Sequence, residues 1–367
     1  MTDPRLQKLA QVLVNYCLEL KPGQQVRIEA AALAEPLIRE AYREALKVGA
    51  HPSVRASIGG LTPIFFELAN EAQLKFTPEI ELFAIEKLDA RLVIWADWNT
   101  RELTNADPKK MAMAQGARKQ LFKRFMERTA KGEMRWVGTL FPNHASAQDA
   151  EMSLEEYENF VFGAMLVDRP DPVAEWRRIS KEQERQAQVL NQVKTIRMQT
   201  RDTDLTFRCA GRKWINCDGQ QNFPDGEIFV CPIEDTVEGN IRFSFPGIYM
   251  GKEVDDIRLR FVKGEVVEAH AAKAEDFLLS VLDTDPGARF VGEISFGTNY
   301  GIQRFTKNTL FDEKIGGTMH LALGASLKES GGVNESAVHW DIVCDFRSAG
   351  EVHADGKLIL KDGKLLI

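Results

Sequence analysis

The residues of this chain best suited to chemistry are carboxylates and imidazoles in its last third. His339, Trp340 and Asp341 follow one another. On a β-strand the first and third side chains of such a triplet point to the same face. His339 and Asp341 could therefore bind one metal cluster while Trp340 faces the other way. Imidazole and carboxylate groups are the usual ligands of hydrolytic metal sites, which activate water for attack on a carbonyl.

Three further residues of the same region could supply ligands. His320 follows a glycine pair at residues 316–317, and glycine permits a close approach of backbone and ligand. Glu293 stands next to a glycine, and Glu227 follows a Pro-Asp-Gly turn and begins a short apolar run. A two-metal hydrolytic site needs several such groups converging from different segments, with a carboxylate or water able to bridge ions about 3.5–4 Å apart.

Each candidate also has an ordinary structural interpretation. Glu227 could cap its turn, Glu293 could be an exposed strand residue, and His320 could be a hydrogen-bonded core histidine between apolar neighbours. His339 and Asp341 could simply bond to adjacent groups. Taken one residue at a time, the structural interpretation is the commoner one, so the spacing alone indicates a metal site without establishing it.

Composition excludes several classes of protein. The chain has 367 residues, 44% hydrophobic and 28% charged, with a formal charge of −7, which is typical of a globular protein and unfavourable for nucleic-acid binding. The basic run at residues 118–128 has apolar residues at helical spacing and predicts an amphipathic helix with a solvated cationic face. There is no membrane-length apolar run, no signal-peptide pattern and no paired-cysteine motif, so we expect a cytoplasmic protein with reduced thiols.

The apolar pattern divides the chain into two parts. Helical and extended patterns alternate up to about residue 190, which favours a parallel sheet flanked by helices. A long helical pattern at residues 171–196 leads into short alternating strands with Lys-Gly and Asp-Gly turns, typical of hairpins. We predict an α/β N-terminal domain at residues 1–190 and a strand-rich α+β catalytic domain at residues 191–367.

Four linked segments of the second part also carry a family likeness. They are NFPDGEIFVCP at residues 222–232, VGEISFGTN at 291–299, LFDEKIGGTMHLALG at 310–324 and GGVNESAVHWD at 331–341. In this order they resemble the thermophilic aminopeptidase family, the peptidases related to aminopeptidase T. The segment NYCLELKPG at residues 15–23 resembles the start of the family, so the likeness covers nearly the full chain.

The resemblance implies a ligand set and an activity. The implied ligands are Glu227, Glu293, His320, His339 and Asp341. Three carboxylates and two imidazoles suit zinc, cobalt or manganese, and five residues can hold two ions per chain only if a carboxylate bridges, for which Glu293 is the expected residue. The resemblance thus implies a dinuclear metal-dependent aminopeptidase that releases N-terminal residues from short peptides, acting as a homodimer with its metal centres in a restricted internal space.

One position departs from the family pattern. The family carries a tyrosine seven residues after the histidine that follows the glycine pair, where this chain has Leu327. Leucine has no hydroxyl, so it can neither donate a hydrogen bond to an oxyanion nor carry a proton. Tyr300 is the nearest tyrosine in the motif region and is a candidate substitute. The departure leaves open a metal-binding family member with weak or no peptidase activity.

A further acid, Glu313, lies just ahead of His320. It could accept a hydrogen bond from a metal ligand or act as a general base. It could equally be a helix-surface acid paired with Lys314 or Lys307. The sequence assigns no catalytic residue beyond the metal ligands, and a binding protein without metal is the remaining alternative.

Overall fold

The computed structural model describes residues 3–367. They form two compact units, one comprising the chain up to Trp176 with Gly219–Phe223, the other comprising Arg177–Asp218 and Pro224–Ile367. The domain boundary near residue 190 remains a prediction.

Twelve α-helices are present in the described chain. They are α1 Pro4–Val12, α2 Glu35–Lys47, α3 Leu61–Leu68, α4 Glu71–Leu74, α5 Glu79–Lys87, α6 Pro108–Ala117, α7 Lys119–Ala130, α8 His144–Asp149, α9 Leu154–Ala164, α10 Pro172–Leu190, α11 Glu275–Leu282 and α12 Thr309–Asp312. Helix α1 continues as a five-residue π-helix, Leu13–Cys17. None of the helices within residues 3–367 combines the length and the apolarity needed to cross a bilayer.

Twenty β-strands accompany these helices in the described chain. They are β1 Gln25–Ala31, β2 His51–Ser57, β3 Ala90–Trp95, β4 Arg135–Leu140, β5 Thr195–Gln199, β6 Asp204–Arg208, β7 Ile215–Cys217, β8 Asn222–Phe223, β9 Glu227–Val230, β10 Glu238–Arg242, β11 Gly247–Tyr249, β12 Lys252–Val254, β13 Arg258–Val262, β14 Glu265–His270, β15 Val291–Gly297, β16 Thr318–Gly324, β17 His339–Asp345, β18 Glu351–Ala354, β19 Lys357–Lys361 and β20 Lys364–Leu365.

The first unit is built on a parallel sheet. Its five strands run in the order β2-β1-β3-β4-β8, and every pairing is parallel. Parallel neighbours need crossover connections, which helices such as α2 supply between β1 and β2. Helix α2 begins with Glu35 and Pro36 and buries Leu37, Ile38 and Ala41, because its apolar positions recur at helical spacing. The predicted α/β N-terminal part is confirmed.

The basic run predicted as an amphipathic helix forms α7, but its faces differ from the prediction. Phe125 is buried whereas Phe122 is 65% exposed. Arg128 is buried, and its guanidinium donates to the carbonyl of Leu88 at 2.8 Å and to the carbonyl of Ile85 at 2.5 Å. The expectation of a wholly solvated cationic face is therefore wrong at Arg128, because main-chain carbonyls of a neighbouring segment satisfy its donors.

The second unit is strand-rich, as predicted. An eight-stranded sheet runs β14-β13-β10-β6-β5-β18-β19-β20, and a five-stranded sheet runs β17-β16-β15-β9-β7. All pairings in the five-stranded sheet are antiparallel. Apolar side chains of both sheets belong to one buried cluster, among them Leu205 and Phe261 from the larger sheet and Leu321 from the smaller. This core packs against one face of the five-stranded sheet and leaves the polar side chains on the opposite face.

The predicted hairpin turns of the second unit form at Lys263–Gly264, Asp355–Gly356 and Asp362–Gly363. Both central residues of each turn have positive φ, for example 50° at Lys263 and 84° at Gly264. Such turns match the twist of antiparallel strands, and glycine adopts the second position without steric cost. Each turn joins two consecutive antiparallel strands, as β13 and β14.

Candidate metal centre

The five-stranded sheet has one apolar and one polar face. Ile294, Leu321 and Ile342 lie opposite one another on β15, β16 and β17 and are buried in the core. Because successive strand residues point to opposite faces, the next row across the same strands, Glu293, Ala322 and Asp341, lies on the other side. The alternation of the sequence therefore gathers the polar candidates on one surface.

The His339-Trp340-Asp341 triplet behaves as its strand spacing predicts. Trp340 is 1% exposed, belongs to the core and stacks on Tyr249 with ring centroids 5.3 Å apart. His339 and Asp341 point the other way, and Nε2 of His339 lies 3.5 Å from Oδ1 of Asp341. Burial of the large indole thus anchors the strand and aims both of its neighbours at the polar face.

All five predicted ligand residues lie together. Nε2 of His320 is 3.2 Å from Oε1 of Glu293, 3.5 Å from Oε2 of Glu227 and 3.9 Å from Oδ1 of Asp341. Nε2 of His339 is 3.7 Å from Oε2 of Glu293. Two overlapping groups result, Glu227-Glu293-His320 and Glu293-His339-Asp341, each with its ligand atoms within 4.8 Å of one another. Glu293 belongs to both groups.

Both histidines are oriented through their second ring nitrogen. Nδ1 of His320 lies 3.2 Å from the carbonyl oxygen of Glu313, and Nδ1 of His339 lies 2.9 Å from that of Ala325. A carbonyl oxygen only accepts, so the Nδ1 atom must carry the proton in each case. The Nε2 atoms then face the carboxylates, as metal-binding imidazoles do when a backbone carbonyl fixes the other nitrogen. The donor chemistry fits a divalent metal centre.

The five ligand residues differ in how far they are exposed to solvent. His320 is fully buried, Glu293 is 4% exposed and Glu227 is 6% exposed. The side chains of His339 and Asp341 are 34% and 15% exposed. The group containing Glu227 and His320 is therefore closed to solvent, while the His339-Asp341 side is open.

Glycine shapes the strand that carries Glu293. The pairing of β15 with β16 shifts register between Val291 and Glu293, which makes a bulge at Gly292. A Cβ atom at Gly292 would lie 2.2 Å from the carbonyl oxygen of Ala325, a separation that no side chain can adopt without displacing backbone. The same carbonyl accepts from Nδ1 of His339. Glycine at position 292 therefore lets the backbone at Ala325 come close enough to orient this histidine.

A buried lysine next to the cluster was not predicted from the sequence. Lys314 is 1% exposed, and its Nζ lies 3.0 Å from Oε1 of Glu227 and 2.5 Å from Oε2 of Glu313. Of the alternatives left open for Glu313, the pairing with Lys314 forms, but it lies in a buried position rather than on a helix surface. Helix α12 ends at Asp312, and the carbonyl of Lys314 then accepts from the N–H of Asn299, which ties this segment to a neighbouring loop.

Two further polar residues of the cluster were also missed. Asp225 is 3% exposed, and its carboxylate accepts from the N–H of Gly226 at 2.9 Å. Ser295, the second residue after Glu293 on β15, donates from Oγ to Oε2 of Glu227 at 3.2 Å. The period-two spacing of Ser295 from Glu293 was a usable signal. Asp225 carried none, because aspartate in a Pro-Asp-Gly turn usually faces water.

The electrostatics follow from burying several carboxylates together. Burial raises the pKa of Glu293, and it raises the pKa of Glu313 to about 8. Burial works in the same direction on Glu227, but the charges of Lys314 and His320 outweigh it and lower the pKa of that carboxylate. Burial alone would lower the pKa of His320, yet the facing carboxylates raise it to about 10. The cluster therefore attracts positive charge strongly.

Leu327, which stands where the family carries a tyrosine, and Tyr300, the candidate substitute, both have partners outside the ligand cluster. The N–H of Leu327 donates to Sγ of Cys231 at 3.3 Å, and the leucine side chain is half-buried. The hydroxyl of Tyr300 donates to the carbonyl of Gly363 at 3.0 Å. A role for Tyr300 as a substitute donor in the cluster would require this bond to break.

A buried set of carboxylates and oriented imidazoles on a strand-rich unit is typical of a metal-dependent hydrolase. The sequence matches the thermophilic metalloprotease (M29) family over residues 2–365, and the chain belongs to this family. It is a peptide-bond hydrolase of a family that implies a divalent metal. The family predicted from the four sequence segments is confirmed.

Individual relatives agree with this assignment. Aminopeptidase 2 of Geobacillus stearothermophilus is 29% identical over 402 residues, covering 99% of this chain and 95% of that protein. Aminopeptidase T of Thermus aquaticus is 29% identical over 402 residues, covering 98% and 95%. These relatives are named aminopeptidases, and the match spans nearly the whole of each protein.

Solved structures confirm the predicted fold class. Wild-type AmpT from Thermus thermophilus superposes with a TM-score of 0.86 at 26% identity and covers 99% of both chains. A 2,5-dihydroxypyridine dioxygenase from Pseudomonas putida KT2440 superposes with a TM-score of 0.60 at 14% identity, covering 99% of this chain and 96% of that one. The second likeness concerns the fold alone.

Proposed function

We propose that this chain is a dinuclear aminopeptidase that holds two divalent metal ions, zinc, cobalt or manganese, and releases N-terminal residues from short peptides. The proposed ligands are Glu227, Glu293, His320, His339 and Asp341. The observation that carries the proposal is the position of Glu293. Its Oε1 faces His320 at 3.2 Å and its Oε2 faces His339 at 3.7 Å, so one carboxylate addresses both ligand groups, as a bridging ligand must.

Two ions bound there would supply Lewis acidity, which activates water and polarises the scissile carbonyl. The residues of the chain contribute orientation. The carbonyls of Glu313 and Ala325 hold the two imidazoles with Nε2 toward the carboxylates. Since the support is main chain in both cases, the ligand geometry is largely formed before substrate arrives, which lowers the reorganisation that the reaction requires.

The metal ions would recognise the peptide N-terminus. The carboxylates gathered around the cluster are Asp225, Glu227, Glu293, Glu313 and Asp341, and their buried lysine partner is Lys314. Two divalent ions together with Lys314 would balance this negative charge, so we expect the free α-amine of the peptide to bind to a metal ion rather than to the carboxylates. The open side, at His339 and Asp341, is the side from which we expect the peptide to enter.

For Glu313 we propose a positioning role. Its carbonyl accepts from Nδ1 of His320, and its carboxylate pairs with Lys314 at 2.5 Å. Both polar ends of the residue are thus occupied by protein groups. A general base must be within reach of the substrate water, and a carboxylate held by a buried ammonium is less suited to that task than one that faces the open side.

One observation favours a second candidate function, a family member that binds metal with weak or no peptidase activity. Leu327 stands where the family carries a tyrosine. Loss of one donor to a developing oxyanion typically reduces the rate about 10²–10³-fold. Metal content would be unaffected in such a protein, so metal analysis and turnover together separate the two functions.

We further propose a homodimer, which the resemblance implies, and a place in the cytoplasm, which the scattered cysteines, none in a CxxC motif, favour. Large apolar side chains are exposed on the helices of the first unit, among them Leu68 at 72%, Ile80 at 68% and Phe83 at 63%. Exposed apolar groups of this size favour contact with another protein surface, and a second copy of the chain is the expected partner. Light scattering on purified protein tests the dimer, for which a monomer mass is the contrary result.

The decisive experiment combines elemental analysis with hydrolysis of a panel of aminoacyl-p-nitroanilides, with and without added zinc, cobalt or manganese. We expect about two ions per chain and release of p-nitroaniline that a chelator abolishes. N-acetylated substrates serve as the control, because an aminopeptidase needs the free amine. Metal without turnover favours the second candidate function, and protein that binds no metal overturns both.

A further inference from the structure

We infer that the two ion positions have unequal affinities, because Lys314 already supplies a positive charge to the position formed by Glu227, Glu293 and His320. This inference rests on the proposed two-metal function and deepens it. The ion at Glu293, His339 and Asp341 is the tightly held one, and the ion at Glu227 is weak and exchangeable. Lys314 acts as a positioning residue through Glu227.

Both oxygens of Glu227 are engaged by protein donors. Nζ of Lys314 lies 3.0 Å from Oε1. Oγ of Ser295 donates to Oε2 at 3.2 Å, and Nε2 of His320 lies 3.5 Å from the same oxygen. An ion that binds Glu227 must share these oxygens with an ammonium and a hydroxyl, and sharing weakens the metal–carboxylate interaction.

The other position has no such competitor. The histidines next to Asp341 are His339 and His320, at 3.5 and 3.9 Å, and both act as neutral imidazoles when they bind a metal ion. Oε2 of Glu293 faces His339. In the part of the chain that the structure describes, no lysine or arginine forms an ion pair with Glu293 or Asp341. Asp341 and Oε2 of Glu293 therefore remain available to one ion there.

Lys314 cannot leave the cluster easily. The residue is 1% exposed, and its ammonium is held by Glu227 and by Glu313 at 2.5 Å. Separating a buried ammonium from its carboxylates is costly, because each charge would then be left unpaired in a medium of low polarity. Repulsion between the fixed ammonium and a divalent ion is strong for the same reason. The lower affinity is therefore a permanent property of the Glu227 position.

Metal titration tests the inference without relying on turnover. Zinc or cobalt is added to metal-free protein in a calorimeter, and ions retained after gel filtration are counted by elemental analysis. We expect one ion to be retained and a second to bind at least about tenfold more weakly. Lys314→Met, which keeps the apolar stem and removes the charge, should tighten the weak ion at least about tenfold and leave the tight ion within about twofold.

Lys307→Met is the matched control. Lys307 belongs to the same segment and pairs with Glu253 at 3.2 Å, but its side chain is 33% exposed. Loss of that screened charge should change neither affinity by more than about twofold. The double variant Lys314→Met with Glu313→Gln removes the ammonium together with the acid that pairs with it, and it is the variant to measure if the single one does not fold. Circular dichroism confirms the fold of each variant.

The outcomes separate this inference from the proposed function. Equal affinities in the wild type, or a folded Lys314 variant that binds its second ion no more tightly, overturn the inference and leave the two-metal aminopeptidase standing. A wild type that binds no divalent ion overturns the metal centre and the inference together. A weak ion that becomes tight in both Lys314 variants, but not in Lys307→Met, supports the inference.

Discussion

Nε2 of His320 lies 3.2 Å from Oε1 of Glu293, across the pair of strands β15 and β16. Both side chains are buried, at 0% and 4% exposure. The imidazole is held from behind by the carbonyl of Glu313, so the two groups meet in a fixed geometry. Because Oε2 of Glu293 faces His339, this contact joins the two halves of the cluster.

Glu293→Gln and His320→Ala should therefore abolish both metal retention and activity. The amide of glutamine carries no charge and offers only one acceptor oxygen, and alanine offers no ligand. Loss of metal catalysis removes several kcal/mol of transition-state stabilisation, so kcat/KM should fall about 10³-fold or more. Elemental analysis and aminoacyl-p-nitroanilide assays measure the two effects.

Glu268→Gln is the control for these substitutions. Glu268 is a carboxylate of the same unit that pairs on the surface with Arg260 at 2.5 Å. Its metal content and kcat/KM should equal those of the wild type, since exposed ion pairs contribute little. Wild-type metal content in Glu293→Gln would rule out the ligand assignment.

Removal of metal should also destabilise the protein. The cluster buries several carboxylates, and burial disfavours their charged form, as the raised pKa of Glu293 indicates. A divalent cation would compensate this buried negative charge. Ligand present at about 100 times its Kd stabilises the folded state by about 2.7 kcal/mol. We expect Tm to fall by several degrees on chelation, and to recover with zinc, cobalt or manganese but not with calcium. Scanning fluorimetry measures this, and an unchanged Tm with full chelation would contradict it.

Part of this site follows from local sequence rules. The alternation of His339, Trp340 and Asp341 predicts a shared face for the first and third residues, and the buried indole of Trp340 confirms the reasoning. The parallel sheet of the first unit likewise follows from alternating helical and extended patterns. Both the shared face and the parallel sheet depend on residues that are close together along the chain, so a single sequence is enough to predict them.

Other parts depend on contacts between distant segments. Lys314 pairs with Glu227, 87 positions earlier in the numbering, at 3.0 Å, and Asp225 is buried although its turn chemistry favours exposure. Arg128 is buried because carbonyls of another segment satisfy it. Buried charges of this kind violate the usual preference for exposure, so only the tertiary structure reveals them.

Leu327→Tyr tests the departure from the family pattern. Leu327 is half-buried, and its N–H bonds to Sγ of Cys231. If a hydroxyl here assists catalysis as the resemblance implies, tyrosine should raise kcat by up to about 10²–10³-fold. Leu327→Phe adds the same ring without the hydroxyl and should leave kcat near the wild-type value. Equal gains in both variants would assign the effect to packing.

Gly292→Ala should disturb Glu293 through the backbone. A Cβ atom at Gly292 would lie 2.2 Å from the carbonyl oxygen of Ala325, so the bulge must shift. Overpacking of a buried site typically costs about 1–3 kcal/mol, and metal affinity should fall because Glu293 and His339 both depend on this contact. Gly163→Ala in helix α9, where a Cβ meets nothing within 4 Å, should leave metal affinity unchanged. Urea unfolding and metal titration report the two effects.

Asp312 should make stability depend on pH. Burial raises the pKa of this carboxyl to about 7. Between about pH 4 and 7 the folded protein therefore binds more protons than the unfolded chain. The contribution of Asp312 to the free energy of unfolding falls as the pH rises through that range. The shift corresponds to about 4 kcal/mol at pH 8. Asp312→Asn keeps an acceptor for the N–H and hydroxyl of Thr306 without the charge. In urea unfolding this variant should therefore be more stable than the wild type at pH 8 and similar to it at pH 4. If the free energy of unfolding depends on pH in the same way in both proteins, Asp312 stays ionised in the folded protein.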